Sequence, residues 1–581
     1  MTPLKWFSTF LKKYTKSIIK GLFLTTVVSL LAIVTPYISG NIVDVVITDK
    51  KYNLLAPMIA VLILATLLRG LCRARFLMTF ETTSQNVIYD MREFVYKKFQ
   101  KEDFAFYNRN RTGDLMARQT GDMEAIRKFV AQTMYYSYEN VLLFLLALIM
   151  IFTVNLKLAL YMLLILPFTA FTTFIQFKQV KSKFSNIRRH FASLNTFVQE
   201  NISGNRVVKA FAKEDYEMEK FAVENEGYMK AELGAARMWS IFIPIFEFLS
   251  NMLMVVLMLA GGIMAIHGEI SLGNMLTVNG YLWMLNNPLK QAGWIINDLQ
   301  HMITSVERVY NTVTEEPDIK TPDKAVHKKH FRGEIEFKNV SYQAEDADII
   351  QNISFHVKPG QSVGIIGATG SGKSTIMNLL CRFYDVTQGE ILIDNINVKE
   401  LNLHDLRNNI GMAMQDVFLF SDTIEGNIAY GKPACSFDDV VRVAKIANAH
   451  EFILNTPDGY DTIVGERGMG LSGGQKQRIS LARALLKEPS IIILDDTTSA
   501  VDMETETLIQ DELSRLKNST VFIIAHRISS IKDADLILVL ENGHIIEQGN
   551  HDELLAKGGY YSTVFSHQYG EFEKFKKEGA L

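Results

Sequence analysis

Hydrophobic residues follow two different rhythms along this chain. As far as about Val309 they come in long blocks. Ile19–Ile47 holds only Asp44 as a charge after Lys20, and Met58–Leu71 runs on into Arg69, Arg73 and Arg75. Val141–Val154 and Leu158–Phe174 are parted only by Asn155, Leu156 and Lys157, and Ile241–Ile266 and Leu272–Ile296 complete a set of six. A helix needs roughly 20 mostly apolar residues to cross a hydrocarbon layer of about 30 Å. Several blocks meet that length outright. The second meets it only if extended to Phe80 with its arginines turned from lipid. Buried helices of a soluble protein would be shorter and would keep a polar face. The pattern therefore predicts six membrane-spanning helices.

The links between blocks alternate in length. Links one–two, three–four and five–six are short. Links two–three (about Phe80 to Tyr138) and four–five (about Lys178 to Trp239) are long, charged and free of proline. Their apolar residues recur at i, i+3 and i+4, which predicts helix throughout. Lys5, Lys12, Lys13, Lys16 and Lys20 precede the first block, and both long links are rich in Lys and Arg. The short links hold only Lys50, Lys51 and Lys157. By the positive-inside rule the amino terminus and the long links are cytoplasmic, in a multi-pass protein of the cell membrane.

From about Gly333 the rhythm changes. Strand-like runs at Ser362–Ile366, Ile491–Leu494 and Val521–Ile524 alternate with helical stretches, the α/β signature of a nucleotide-binding domain. Thr314–Lys329, charged and holding Pro317 and Pro322, reads as the connector. The expected division is a membrane domain at 1–318, a linker at 319–332 and an α/β domain at 333–581. Composition then narrows the function. Sixty Lys+Arg against 63 Asp+Glu leave a formal charge of −3, which argues against a globally basic nucleic-acid binder. Cys72, Cys381 and Cys435 are too few and too scattered for a disulfide framework or a zinc site. No removable signal peptide is expected.

Three segments of the second part carry chemistry. Gly367-Ala-Thr369-Gly370-Ser371-Gly372-Lys373-Ser374 matches G-x-x-x-x-G-K-[ST], after an apolar strand and before a helical run that begins with Ser374 and Thr375. Its glycines let backbone N–H groups curl around a phosphate, and the helix end adds partial positive charge. Lys373 supplies a point charge to the β- and γ-phosphates, and Ser374 offers its hydroxyl to Mg²⁺. Ile491–Leu494 is a buried strand ending in Asp495 and Asp496. Beside a phosphate loop, Asp495 is placed to hold the Mg²⁺ shell and Asp496 to polarise water. Leu471-Ser472-Gly473-Gly474-Gln475 opens a helix running to Leu486, whose amino end is a second anion site. An ordinary capped surface helix is the alternative. One domain cannot easily bring both ends to one phosphate, so the simplest arrangement is two facing domains that exchange them.

Together these motifs resemble an ATP-binding cassette, and the whole chain resembles a type IV ATP-binding cassette exporter half-transporter, similar to one subunit of a bacterial heterodimeric multidrug exporter. The resemblance implies a six-helix membrane domain fused to an α/β cassette that binds ATP and Mg²⁺. It places Gln415, in Met414-Gln-Asp-Val-Phe, on the loop that links Mg²⁺ to the membrane domain. It matches Ser499-Ala-Val-Asp502 to the loop that crosses between cassettes, and His526 to the switch histidine that touches the γ-phosphate. Gly465-Glu-Arg-Gly468 is similar to the exporter segment that meets the coupling helices. Phe104–Tyr107 with Thr112–Leu115, and Glu200-Asn201 with Gly204–Phe211, are similar to the two coupling regions.

Two positions depart from the family. Its catalytic glutamate is replaced by Asp496, one methylene shorter, so the carboxylate is withdrawn by about 1.5 Å. Its adenine-stacking aromatic is replaced by Ala344, with Tyr342 two residues back on the same strand face as a partial substitute. Beside an intact signature, these departures imply one half of a heterodimer: this chain supplies a slow site and lends Ser472–Gln475 to a partner that holds the glutamate and a degenerate signature. A homodimer with slow hydrolysis is the alternative.

Within the membrane part, Glu247 lies inside the fifth block and should face a cavity or a partner, because a carboxylate facing lipid costs about 2.5 kcal/mol or more. Pro244 is expected to bend that helix, which membranes tolerate, while Asn286, Asn287 and Pro288 interrupt the sixth block and, with Trp283 and Trp294, are candidates for a cavity wall, with ordinary helix packing as the alternative for each. The function expected is ATP-driven efflux of drugs or other amphipathic compounds, with a lipid flippase as runner-up and an ATP-gated channel as a reading from another class.

Overall fold

The computed structural model describes the backbone of all residues except 345–346, 466–467, 469, 498–500, 517 and 578–581, and the side chains of the rest except 177–178, 180–182 and 570–577. The chain divides into two compact units. One holds Met1–Lys101 and Asn110–Glu316; the other holds Glu102–Arg109 and Pro317–Leu581.

The first unit is helical, as its apolar blocks require. Thr15–Asn41 continues through wider turns to Thr48. Leu55–Phe99 follows, 45 residues long. At 1.5 Å per residue it reaches about 68 Å, more than twice the hydrocarbon thickness. Thr112–Val154, Leu156–Leu163 with Leu166–Ser203, Glu214–Ile266 and Leu272–Thr314 complete the bundle. Five stretches are long and apolar enough to cross a membrane among the described residues. The sixth, Leu272–Thr314, is continuous helix through Pro288, but Asn286, Asn287 and Lys290 break its apolar run. It tolerates them because its Val278, Tyr281, Leu285 and Val306 are almost fully buried inside the unit.

Helix ends are joined by specific chemistry. Asp44 accepts from the Ser271 hydroxyl and, at 2.8 Å, from the Gly273 N–H, at the start of the last helix. Gly40 lies so near that a Cβ there would stand 2.4 Å from the Gly273 carbonyl oxygen, so only glycine fits. The amphipathic Pro3–Lys13 helix buries Trp6 and Phe7 among Val87, Met91, Val306 and Val309.

The two long links are not helical throughout, contrary to the periodicity. Each is interrupted at its tip by a separate six-residue helix, Phe104–Arg109 and Asn205–Ala210. Local chemistry breaks the run: the Asp103 carboxylate accepts from the Phe106 N–H at 2.9 Å and starts a new helix, and Ala212 takes a positive φ of 48° after the second.

Among the described residues the second unit contains ten strands: β1 Ile335–Ala344, β2 Ala347–Val357, β3 Ser362–Gly367, β4 Gln388–Ile393, β5 Ile396–Asn397, β6 Ile410–Ala413, β7 Ile491–Asp495, β8 Thr520–Ile524, β9 Leu536–Glu541 and β10 His544–Gly549. They form a six-stranded sheet in the order β10-β9-β3-β8-β7-β6 and a four-stranded antiparallel sheet in the order β2-β1-β4-β5. In the larger sheet β9, β3, β8, β7 and β6 run parallel and β10 is antiparallel. Parallel strands are covered on both faces, which is why Ile491–Leu494 and Val521–Ile524 read as unbroken apolar runs. The connector is tied down rather than free: Val326 exchanges backbone hydrogen bonds with Glu400 and Asn402, and Lys328 pairs with Asp394 at 2.8 Å.

Candidate functional site

The phosphate loop sits at the carboxyl end of β3, in the centre of the parallel sheet. Gly367 ends the strand against β9, where a Cβ would meet the Leu540 carbonyl oxygen at 2.2 Å. Gly370 and Gly372 turn the loop at φ values of 82° and 95°, a left-handed region closed to most side chains. The helix Lys373–Leu380 then begins with no side chain capping it. Its first N–H groups are therefore open to a ligand. Thr369 and Gly370 are exposed at the loop crest, while Ser371 lies beneath it, 3% exposed, and its hydroxyl oxygen has no partner among the described residues. Lys373 is 7% exposed and donates to the carbonyls of Gly367 at 2.9 Å and Ala368 at 2.8 Å. Burial lowers its pKa, opposed by the charges of Asp495 and Asp496.

Asp495 ends β7, opposite Ile524 of β8. It is 6% exposed, and burial pushes its carboxyl above the usual carboxylate range, against the pull of a Ser374 hydrogen bond, Lys373 and His526. One of its oxygens has no partner among the described residues. A buried carboxylate with an open oxygen beside a serine hydroxyl and a lysine suits a divalent cation carrying phosphates. The residues present thus fit Mg²⁺. The donors toward it are Ser374 and Asp495, while Gln415 is exposed in the loop after β6.

Asp496 follows at a positive φ of 50°, a region aspartate tolerates better than most residues. Its N–H donates to the Ile524 carbonyl at 2.9 Å. Its own carbonyl accepts from Gln477 Nε2 at 3.2 Å. Gln477 belongs to the helix Gly473–Leu485, so the signature helix is bonded directly to the turn that presents Asp496. His526 is exposed two residues beyond β8, and its carbonyl accepts from Gln568 Nε2 at 2.9 Å.

At the signature, Ser472 accepts from the Gln475 N–H at 3.3 Å, and Gln475 Oε1 accepts from the Ser472 N–H at 2.9 Å. This reciprocal capping box holds the exposed Gly473 at the helix end. Of the interdomain-loop residues, Ser499 and Ala500 lie outside the described residues, as do Glu466 and Arg467 of the exporter segment. Asp502 is described and accepts from the Thr505 hydroxyl at 3.1 Å.

Tyr342 keeps the face of Ala344, because the register shift between Tyr342 and Gln343 puts the extra residue, Ile349, on β2 and leaves the alternation along β1 intact. Its half-buried ring packs on Tyr384, with centroids 5.5 Å apart. Trp294 is exposed, with Lys128 over its ring at 5.1 Å and Tyr136 at its edge. In the membrane unit Glu247 and Trp283 are exposed, and Asn286 is buried with an unpartnered side-chain oxygen among the described residues. Asn287, Gln291 and Asn140 form a hydrogen-bonded chain. Arg73 and Arg75 are exposed, Arg69 is half-buried, and Arg69 and Arg73 lie within electrostatic reach of buried Glu139.

Sequence reasoning missed Gln477, Tyr384, Glu506 and Asp103. Glu506 is 3% exposed and accepts from the Ser530 hydroxyl, with Arg527 at 3.7 Å, so it ties the helix Met503–Ser514 to the segment after His526. The only sequence signal for it was a carboxylate at an otherwise apolar helix position.

Comparison with known proteins agrees with this geometry. Residues 18–289 match the ABC transporter transmembrane region, and residues 350–499 match the ABC transporter family. The chain is 40% identical to the uncharacterized ABC transporter ATP-binding protein YknU of Bacillus subtilis, over 96% of each chain. It is 36% identical to an ATP-dependent lipid A-core flippase of Syntrophus aciditrophicus, over 91% of this chain and 88% of the other. A putative multidrug export ATP-binding/permease protein of Staphylococcus aureus is 38% identical over 84% of this chain and 85% of its own. The solved structure of a bacterial Atm1-family ABC exporter with ATP bound superposes with a TM-score of 0.83 at 27% identity, covering 95% of this chain and 99% of that one.

Proposed function

The chain belongs to the ATP-binding cassette exporters, as a half-transporter of the type IV fold that binds ATP and couples its hydrolysis to transport, and on that premise we propose that it is one half of a heterodimeric exporter of amphipathic compounds in the cell membrane. The observation that carries the heterodimer is Asp496: the turn after β7 presents an aspartate where the family has glutamate.

In this reading Lys373 and the open N–H groups of its helix bind the β- and γ-phosphates of ATP, with Gly367, Thr369, Gly370, Ser371, Gly372 and Thr375 shaping the cradle. Ser374, Asp495 and Gln415 would hold Mg²⁺, which supplies charge neutralisation on the phosphates. Asp496 orients water, but from a carboxylate set back by about 1.5 Å. Displacements near 1 Å can lose about 100-fold in rate. His526 lies within electrostatic reach of Asp495 and would contact the γ-phosphate. Ser472, Gly473, Gly474 and Gln475 complete the partner's site. Gln477 makes the two sites one device, since it links the signature helix to the Asp496 turn.

The amino terminus and the cassette lie in the cytoplasm, as the lysine and arginine bias supports. The cargo is an amphipathic drug or a lipid. The Staphylococcus aureus and Syntrophus aciditrophicus relatives support these two classes respectively. The test compares ATP hydrolysis by this chain alone with hydrolysis by its complex with a half-transporter that carries the glutamate. The mixed complex is expected to be faster by about 100-fold. Equal rates would overturn the heterodimer.

A further inference from the structure

Asp103 closes the turn after Leu55–Phe99 and caps the first coupling helix, Phe104–Arg109. It is 8% exposed. Its Oδ1 accepts from the Phe106 N–H at 2.9 Å, the ordinary duty of a helix cap. Its Oδ2 does what no cap requires. It accepts from the backbone N–H groups of Asp318 at 2.6 Å and Ile319 at 3.2 Å, at the start of the connector. Hydrogen bonds to an ionised acceptor are roughly twice as strong as neutral ones. At the other end of the same helix, Arg109 sits 3.5 Å from the Asp318 carboxylate.

The opposite side of this helix is fastened too. Phe104 packs on Phe383 with ring centroids 4.4 Å apart, and Asn108 donates to the Tyr384 hydroxyl at 2.9 Å. Both aromatics lie just beyond Lys373–Leu380, the helix that opens the phosphate site. Tyr384 in turn packs on Tyr342 of β1. The coupling helix is therefore held between the connector and the exit of the phosphate helix, within one compact unit.

We propose that Asp103 is a positioning residue for energy coupling: with the oxygen its helix cap does not use, it straps the connector at Asp318 and Ile319 to the coupling helix. Connector, coupling helix and phosphate helix then move as one body. Movement of the cassette is delivered to the membrane helices at 101–102 and 109–110 and is not absorbed by bending of the connector. This rests on the exporter reading above.

The test uses the full-length chain, with its co-purifying half-transporter, in proteoliposomes of phosphatidylethanolamine and phosphatidylglycerol. Asp103→Ser keeps one capping oxygen but cannot reach the connector. It should raise hydrogen exchange at the 318 and 319 amides by about tenfold. Ethidium taken up per ATP hydrolysed should fall by about fivefold or more, while hydrolysis stays within about twofold of the parent. A disulfide formed by Asp103→Cys with Ile319→Cys should restore the transport ratio. Unchanged exchange at 318 and 319, or a parental transport ratio despite faster exchange, overturns the strap. If Asp103→Ser does not fold, Asp103→Asn replaces it with the same expected outcomes. If the parent itself moves no ethidium, the proposed cargo class fails separately. The strap is then judged by exchange alone: ATP should protect 104–106 and 318–319 together in the parent, and protection kept in the variant overturns it.

Discussion

Two helix amino ends in the cassette are shaped for anions, and they are built in opposite ways. At Lys373 the end is uncapped, follows two left-handed glycines, and carries a buried lysine. At Gly473 the end is closed by its own Ser472–Gln475 box. The first is a cradle with its charge already in place. Its costs (a buried cation, a buried carboxylate, a serine hydroxyl without a partner among the described residues) are ones that bound phosphate and metal would offset. The second is stable as it stands and, on the proposed function, would add dipole and N–H groups to a phosphate bound by the partner. On the proposed function, affinity therefore belongs to the first end and completion to the second.

The sharpest way to break that division is Lys373→Ala. It should weaken nucleotide binding at this chain's loop by about 100-fold, or roughly 3 kcal/mol, in a fluorescent-nucleotide titration. Hydrolysis supported by the signature in a mixed complex should persist. If binding is untouched, the lysine is not the anchor. Next comes Asp496→Glu, which should raise single-turnover hydrolysis at this chain's own site by about tenfold. No gain would mean that carboxylate length does not limit the site. Ser472→Ala removes a helix cap worth about 1 kcal/mol. It should lower hydrolysis at the partner's site several-fold, about fivefold, and leave affinity at Lys373 unchanged.

The smallest effect is on pH dependence. The pKa of Asp495 is raised by burial, so its contribution to the stability of the empty cassette is full below the unfolded carboxylate value of about 4. That contribution is lost as pH rises through the raised folded value. Mg²⁺ with nucleotide binds the ionised form. The melting temperature gained on adding both should therefore grow with pH across this window, and Asp495→Asn should flatten that growth.

Much of the molecule was legible from neighbouring residues. The apolar blocks set the spanning helices, because a helix that must satisfy its backbone in lipid needs little besides length and hydrophobicity. The phosphate loop was equally plain, since its glycines, lysine and serine act within one turn of each other. The sixth helix shows the limit. Asn286, Asn287 and Lys290 make it look interrupted, yet it stays whole because its other faces are buried against neighbours. Tyr342 shows another limit. Strand alternation set it on the face of Ala344, but nothing nearby in the chain announced the packing of its ring on Tyr384.

By itself the sequence determined what is local: which runs cross a membrane, which loop cradles phosphate, and that the acid after Asp495 is one methylene short. Tertiary structure alone decided which groups those elements hold. Gln477 grips the Asp496 turn from 19 residues away, and the second oxygen of Asp103 reaches a backbone 215 residues on. Such bonds leave no periodic trace, because a single donor or acceptor satisfied across the fold imposes no pattern on its neighbours in the chain.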